Sequence, residues 1–163
     1  MKSKVKTTLI QILFFFVVFF TITQFQQRNM LENHAPAPYF NLPLLNTHER
    51  LSIDQIRGQE TVIYFFAPWC SICKISMPNL DKLHANGSIN AIAIAADYTS
   101  IQAVKDFTRE LNLSMPVLLG DKNTASNYKV SAFPTYYIIS DELKITSKSL
   151  GYSTELGLRA RTL

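Results

Sequence analysis

Apolar residues in the central part of the chain fall into short runs separated by stretches of helical periodicity. Residues 61–66 form a continuous β-branched and aromatic run, and isoleucine alternates with alanine over 89–96. Runs of this length that are apolar on both sides are typical of strands buried in a parallel sheet. Further apolar stretches predict strands at 117–119, 135–140 and 144–150, and an edge hairpin with a helical turn within 39–56.

Helical spacing marks the segments between these strands. Residues 70–85 predict a helix that ends at Asn86-Gly87, and 100–111 predict a second one. Two shorter helices are predicted at 123–128 and 154–161. The residues expected to face the core are Ile72, Ile75, Leu80 and Leu83 in the first helix, and Ile101, Val104, Phe107 and Leu111 in the second. Strands that alternate with helices predict an α/β domain with a central sheet.

The amino-terminal part has a different pattern. Lys2, Lys4 and Lys6 precede an uncharged, phenylalanine-rich stretch over 7–25. A bilayer is crossed by roughly 20 apolar residues, and flanking lysines stay in the cytoplasm. We therefore expect a cytoplasmic terminus at 1–6, a transmembrane signal anchor at 7–25, a spacer at 26–37 and a folded domain at 38–163.

Two other interpretations of the apolar stretch stay open. A cleaved signal peptide has a shorter apolar region, of about 7–15 residues. A buried core helix would have to be apolar on every face. The anchor and the signal peptide both place the domain in an oxidising compartment outside the cytoplasm.

Charge argues against a nucleic-acid partner. The chain has 16 Lys and Arg against 12 Asp and Glu. Without the three amino-terminal lysines, 13 basic residues face 12 acidic ones, and no basic stripe is present. A nearly neutral domain lacks the electrostatic footprint of nucleic-acid binding.

The only two cysteines, Cys70 and Cys73, lie where the first apolar run meets the first predicted helix. The partial positive charge at a helix amino terminus favours a thiolate, which is the reactive form in thiol–disulfide exchange. Cys73 lies one turn further on, within bonding reach. The pair predicts a redox-active dithiol without any further cofactor.

Metal chemistry is the alternative for this pair. A structural zinc site needs four ligands, and His34, His48 and His84 are not at ligand spacing. Haem attachment needs a histidine directly after the second cysteine, where this chain has Lys74. Thiolate pairs do suit soft ions, so a copper- or zinc-handling binding module remains the second hypothesis.

Several motifs together resemble the thioredoxin fold. They are Ala67-Pro68-Trp69-Cys70-Ser71-Ile72-Cys73-Lys74, the helix proline Pro78, the run Pro116-Val117-Leu118, and Tyr128-Lys129-Val130-Ser131-Ala132-Phe133-Pro134-Thr135. The similarity spans roughly residues 35–161. It is closest to the membrane-anchored TlpA-like and cytochrome-c-maturation-like thiol-disulfide oxidoreductases, which have a central mixed sheet flanked by helices.

The resemblance implies a role for each matched residue. Cys70 corresponds to the attacking nucleophile and Cys73 to the resolving cysteine. Trp69, Phe133, Pro134 and Thr135 correspond to the substrate-binding residues, with Pro134 in the cis form. Gly151 resembles the glycine near the end of the last hairpin.

Two positions depart from the family. Tyr64 occupies the place of a buried acid in thioredoxin, and Ser76 the place of a glutamate common in cytochrome-c-maturation members. These acids help family members to move protons at the buried cysteine, so their absence argues against a dedicated cytochrome-c reductant.

The function expected from the resemblance is thiol-disulfide exchange with cysteines of exported proteins. The enzyme would be a single-pass protein of the cytoplasmic membrane with its domain on the periplasmic side. The reducing direction is favoured, because anchored family members are recharged by a membrane thiol electron carrier.

Overall fold

The structure is a computed structural model that describes residues 11–18, 21 and 29–162. Residues 11–18 are helical. Among the described residues, no helix has both the length and the apolar character needed to cross a bilayer. About half of the anchor expected at 7–25 lies outside the described residues, and the anchor stays a prediction.

A five-stranded mixed sheet organises the domain. Its strands are β3 (Thr61–Phe66), β4 (Asn90–Ala95), β5 (Val117–Leu119), β6 (Thr135–Ile139) and β7 (Ile145–Leu150), in the spatial order β5-β4-β3-β6-β7. Strands β3, β4 and β5 are parallel, whereas β6 and β7 are antiparallel to their neighbours. The predicted central sheet is confirmed.

The smaller elements also lie where the sequence predicts them. The edge hairpin consists of β1 (Asn41–Pro43) and β2 (Arg50–Ser52), followed by a 3-10 helix at Ile53–Ile56. The α-helices in the described part of the domain are α1 (Ser71–Ala85), α2 (Ile101–Glu110), α3 (Lys122–Asn127) and α4 (Glu155–Arg159). The predicted helices therefore agree with the structure to within one or two residues at most boundaries.

The main core lies between α1, α2 and one face of the sheet. Tyr64 and Phe66 of β3 point into it, where the Tyr64 ring stacks on Tyr136 at 6.1 Å and the Phe66 ring stacks on Phe107 at 5.3 Å. Strand β4 contributes only its alanines to this face. These small side chains leave space for α1, which packs on β4.

An aromatic cluster covers the other face of the sheet. Phe65 lies 5.0 Å from Tyr128 between ring centroids, and Tyr128 lies 5.7 Å from Tyr137. The Tyr137 hydroxyl donates to the Tyr128 carbonyl at 2.7 Å, and the Tyr128 hydroxyl donates to the Pro38 carbonyl at 2.8 Å. Burial raises the pKa of Tyr128 well above its ordinary value. Both hydroxyls are thereby satisfied inside an apolar environment, as buried polar groups require.

The orientation of α1 differs from the expected one. Ile72 and Ile75 are 49 % and 66 % exposed rather than buried. The inward face instead consists of Cys73, Ser76, Met77, Leu80 and Leu83. Ile101 of α2 is likewise exposed, while Val104 and Phe107 face the core as expected. Helical spacing alone allows either Ile72 and Ile75 or Cys73 and Ser76 to face the core in the first turns of α1. The packing of Cys73 against the sheet selects the second arrangement.

Residues expected in the spacer are attached to the sheet edge. The His34 amide donates to the Ile145 carbonyl at 2.7 Å, and the Ile145 amide donates to the Ala35 carbonyl at 2.9 Å. The Ala37 amide donates to the Leu143 carbonyl at 2.9 Å. The compact unit of the domain accordingly begins at Leu31.

Candidate active site

Three loops meet at one edge of the sheet because of the strand directions. Phe65 of β3 pairs with Thr135 of β6 in antiparallel register, so the carboxyl end of β3 lies beside the amino end of β6. Strand β4 runs parallel to β3 and ends at the same edge. The loop before α1, the loop before β6 and the loop after β4 are thereby brought together from separate parts of the sequence.

Cys70 and Cys73 form a disulfide at the amino terminus of α1, with 5.2 Å between their Cα atoms. Cys70 is the N-cap residue, and its Sγ accepts a hydrogen bond from the Cys73 amide at 3.1 Å. Cys70 retains 7 % exposure, whereas Cys73 is fully buried. An incoming thiolate or disulfide therefore reaches Cys70 before Cys73.

The peptide bond between Phe133 and Pro134 is cis, in the loop before β6. The Gly151 amide donates to the Pro134 carbonyl at 2.8 Å, with Gly151 at a φ of 89° that glycine adopts without a steric penalty. Thr135 is buried, and its hydroxyl donates to the Ala132 carbonyl at 2.7 Å. Thr135 thus supports the loop through its side chain, while Phe133 remains partly exposed.

Trp69 links the cysteine loop to the proline loop. Its ring contacts that of Phe133 edge to face, with centroids 5.6 Å apart, and it is 63 % exposed. The indole Nε1 donates to Asp97 Oδ2 at 3.2 Å, so the loop after β4 fixes the orientation of the ring. Asp97 carries no sequence signal, because only the parallel pairing of β3 and β4 brings it to Trp69.

The two positions that depart from the family contact each other. The Tyr64 hydroxyl hydrogen-bonds with the Ser76 hydroxyl, and both side chains are buried beneath the first turns of α1. Burial raises the pKa of Tyr64, and the bond to Ser76 offsets part of this effect. The hydroxyls of Tyr64 and Ser76 therefore form a buried neutral pair close to Cys73.

A groove of about 360 Å³ adjoins the cysteine loop on the side of α2. Trp69 forms one wall and Phe107 of α2 contributes to the floor, while Asp106 and Glu110 provide its charged groups. The sequence does not single out these acids of α2, because they match the solvent face of an amphipathic helix. In the described part of the chain, no three His, Cys, Asp or Glu side chains are grouped so that they could hold a metal ion.

Comparisons with known proteins agree with this geometry. Residues 34–148 match the AhpC/TSA family. A thiol-disulfide oxidoreductase ResA of Bacillus cereus is 29 % identical over 143 residues, which cover 83 % of this chain and 81 % of that ResA.

Solved structures share the fold. A putative thiol:disulfide interchange protein DsbE from Chlorobium tepidum has a TM-score of 0.72 at 20 % identity, covering 82 % of this chain and 99 % of that one. StoA from Bacillus subtilis has a TM-score of 0.65 at 24 % identity, covering 80 % and 99 %. Together with the disulfide at the start of α1, these matches establish that the chain belongs to the AhpC/TSA family and is a thioredoxin-fold thiol-disulfide oxidoreductase.

Proposed function

We propose that this protein is a membrane-anchored enzyme that reduces disulfides in exported proteins through Cys70 and Cys73. The observation that supports the proposal most directly is the position of the disulfide. Cys70 caps α1 and keeps a small exposed area, while Cys73 is fully buried. A substrate sulfur can approach the first without displacing the second.

In the reducing direction, the Cys70 thiolate attacks one sulfur of the substrate disulfide. A mixed disulfide forms, and the other substrate sulfur leaves as a thiolate. The Cys73 thiolate then attacks Cys70 Sγ, which forms the Cys70–Cys73 disulfide and releases the second substrate thiolate. Two electrons pass from enzyme to substrate, and an upstream dithiol returns the enzyme to its reduced state by the same exchange.

Trp69, Phe133 and Pro134 form the proposed docking surface for the substrate chain. The Trp69 ring is exposed and rests on Phe133, so both can contact a partner that approaches Cys70. Pro134 lacks an amide proton, and its carbonyl is already bonded to Gly151. The backbone of Phe133 is therefore the part of this loop that we assign to pairing with a substrate strand.

The proposed compartment follows from the amino-terminal sequence. Lys2, Lys4 and Lys6 before the uncharged stretch support an orientation with the domain outside the cytoplasm. Protein disulfides persist in such a compartment, so substrates for the exchange are present there. A membrane-impermeant maleimide applied to intact cells tests this point, since it should label reduced Cys70. Labelling only after lysis would contradict the proposed orientation.

Trapping of substrates tests the reaction and identifies the partners. In Cys73→Ser, the mixed disulfide at Cys70 has no resolving thiol, so disulfide-linked complexes should accumulate in the native cell. Cys70→Ser is the matched control, because it removes one sulfur at the same site and should trap nothing. Normal turnover in Cys73→Ser, or equal trapping by the two variants, would contradict the assigned roles.

The direction of the reaction is tested by the reduction potential. We expect a potential nearer to the reducing thioredoxin range of about −270 mV than to the strongly oxidising value of about −120 mV. Equilibration with glutathione buffers measures it. A value near the oxidising limit would reverse the proposed direction and leave the exchange chemistry intact.

A further inference from the structure

We propose that the groove between Trp69 and α2 selects substrates that carry a lysine or arginine close to the reactive cysteine. We call it the α2 groove; it is lined by Pro68, Trp69, Tyr98, Thr99, Ala103, Asp106, Phe107 and Glu110. The inference rests on the proposed function, because it concerns recognition of the same substrates.

The size and position of the α2 groove suit one side chain of a bound polypeptide. Its volume of about 360 Å³ lies at the lower end of the range for ligand pockets. Trp69 directly precedes Cys70 and forms one wall. A side chain in the groove therefore belongs to a residue near the substrate cysteine.

The apolar surface of the groove fits the stem of a long basic side chain. Phe107 is almost fully buried, and Trp69 presents an exposed ring to the same groove. Lysine and arginine bury their aliphatic stems along such surfaces while the charged group stays in water. A cation over the face of tryptophan gains a further attraction from the ring.

The charge of the groove has the sign that such a side chain requires. Asp106 and Glu110 are four residues apart and lie on the same side of α2, with about 58 % and 57 % of their side chains exposed. Among the residues that the structure describes, those lining the groove include no lysine or arginine. A third carboxylate, that of Asp97, accepts a hydrogen bond from the Trp69 indole at 3.2 Å.

Both α2 acids already have a basic neighbour on the surface. Arg109 lies 3.2 Å from Asp106, and Lys74 lies 2.5 Å from Glu110. Exposed pairs of this kind are weak, because water and salt screen them. A substrate cation can therefore exchange with Arg109 or Lys74 at little cost.

The exposed residues of α1 near the cysteines have a different character. Ile72 and Ile75 are both exposed and offer a partner apolar surface, whereas the exposed Lys74 already pairs with Glu110 of the groove. Charge discrimination among substrates is thus expected from the α2 groove rather than from this face of α1.

Paired peptides test the inference on the full-length protein in detergent. Three disulfide-linked peptides share one sequence except for Lys, Leu or Glu beside the cysteine. The readout is the ratio of the rates at which the reduced enzyme reduces them. We expect the Lys peptide to react about fivefold faster than the Glu peptide at low salt. At about 1 M salt, where the Debye length is near 3 Å, the ratio should approach one.

A matched pair of variants separates the groove from general electrostatics. Asp106→Asn/Glu110→Gln should bring the ratio close to one. Asp54→Asn/Glu142→Gln changes the net charge equally and also removes one i,i+3 pair with arginine and one pair with lysine. This control should keep the wild-type ratio. Asp106→Lys/Glu110→Lys should reverse the ratio, so that the Glu peptide reacts faster than the Lys peptide. A variant that had only lost structure would not show this reversal.

The outcomes distinguish this inference from the proposed function. An equal loss of the ratio in both neutralised variants, or a wild-type ratio that salt does not change, overturns the role of the groove. If the Leu peptide reacts fastest, the groove binds an apolar side chain and the proposal of a lysine or arginine is wrong. The uncharged 2-hydroxyethyl disulfide serves as a probe independent of charge. If the wild type reduces it without preferring the Lys peptide, only this inference fails, and if the wild type reduces nothing, the proposed function fails as well.

Discussion

The amino termini of α1 and α3 are both capped by a side chain, but the capping atom differs. Asp121 caps α3 with a carboxylate oxygen that accepts from the Thr124 amide at 2.7 Å. Cys70 caps α1 with a sulfur that accepts from the Cys73 amide at 3.1 Å. Oxygen is the better acceptor, and serine, threonine, asparagine and aspartate are the preferred N-cap residues.

The difference shows which helix end has a task besides stability. Ser100 of α2 and Thr154 of α4 also use oxygen caps, so α1 is the exception among the described α-helices of the domain. At α1 the capping atom is the sulfur that we propose as the reacting atom, and the positive end of the helix lies directly beside it. The following changes test this comparison, from the largest expected effect to the smallest.

Cys70→Ser should abolish disulfide reduction, because an alkoxide does not form under conditions that give a thiolate. Its free energy of unfolding should stay within about 0.5 kcal/mol of the reduced wild type, because serine also caps a helix. Cys70→Ala loses the cap as well and should be about 1 kcal/mol less stable than Cys70→Ser. Insulin reduction and urea unfolding in reductant measure the two effects. Equal stability of the serine and alanine variants would show that position 70 does not act as a cap.

Asp121→Ala should lower the free energy of unfolding by about 1–2 kcal/mol at neutral pH, through loss of the α3 cap. Hydrogen bonds from the Thr124 amide and hydroxyl hold the pKa of Asp121 below its ordinary value of 3.8. The carboxylate therefore stabilises the fold fully above that pH, and this contribution is lost as the pH falls through the lower folded-state value.

The pH dependence provides the control for this variant. The stability difference between wild type and Asp121→Ala should shrink in urea titrations below about pH 3.8. Asp121→Asn retains a capping oxygen without a titrating group, so its stability should depend less on pH in the same range. A constant difference between wild type and Asp121→Ala at all pH values would contradict the charged cap.

Ser100→Ala should cost about 0.5–1 kcal/mol at the amino terminus of α2. The hydroxyl accepts from the Ala103 amide at 3.1 Å, and a neutral acceptor contributes less than a carboxylate. Because the hydroxyl does not titrate, the loss of stability in Ser100→Ala should not change with pH in the acid range. The loss in Asp121→Ala should shrink over the same range. Thermal unfolding of the two variants side by side measures this contrast, and a larger loss in Ser100→Ala would reverse the expected order.

Ile75→Ser should change stability by less than about 0.5 kcal/mol, because the side chain is mostly exposed. Met77→Ala, two residues further on and buried, is the matched comparison and should cost about 2–5 kcal/mol. Urea unfolding of both variants establishes which face of α1 packs against the sheet and stabilises the fold. Comparable losses of stability in the two variants would indicate that Ile75 is buried, as the sequence predicts, and would contradict the observed orientation of α1.

Much of the fold is encoded in local patterns. The prediction for strand β3 matches its observed ends, because six consecutive β-branched and aromatic residues between a polar segment and Ala67-Pro68 leave little freedom. The predicted orientation of α1 is wrong for Ile72 and Ile75, since local periodicity does not include the demand that Cys73 face the sheet. The attachment of His34 and Ala35 to β7 is also non-local, because it pairs residues more than a hundred positions apart.

In the candidate site, too, some features can be predicted from the local sequence and others cannot. Cys70 and Cys73 are close in sequence, so their spacing alone predicts a bonded pair at a helix terminus, and the structure has that pair. Asp97, Asp106 and Glu110 come to the site only through the parallel pairing of β3 with β4 and the packing of α2. No local pattern distinguishes them from other exposed acids.

By itself, the sequence determined the alternation of strands and helices and the chemistry of the two cysteines. These features depend on neighbours within one or two turns, whose geometry is set by the backbone. The tertiary structure decided which face of α1 is buried, that the hydroxyls of Tyr64 and Ser76 meet, and which carboxylates border Trp69. Those outcomes depend on contacts between distant segments, which exist only once the sheet has brought them to the same edge.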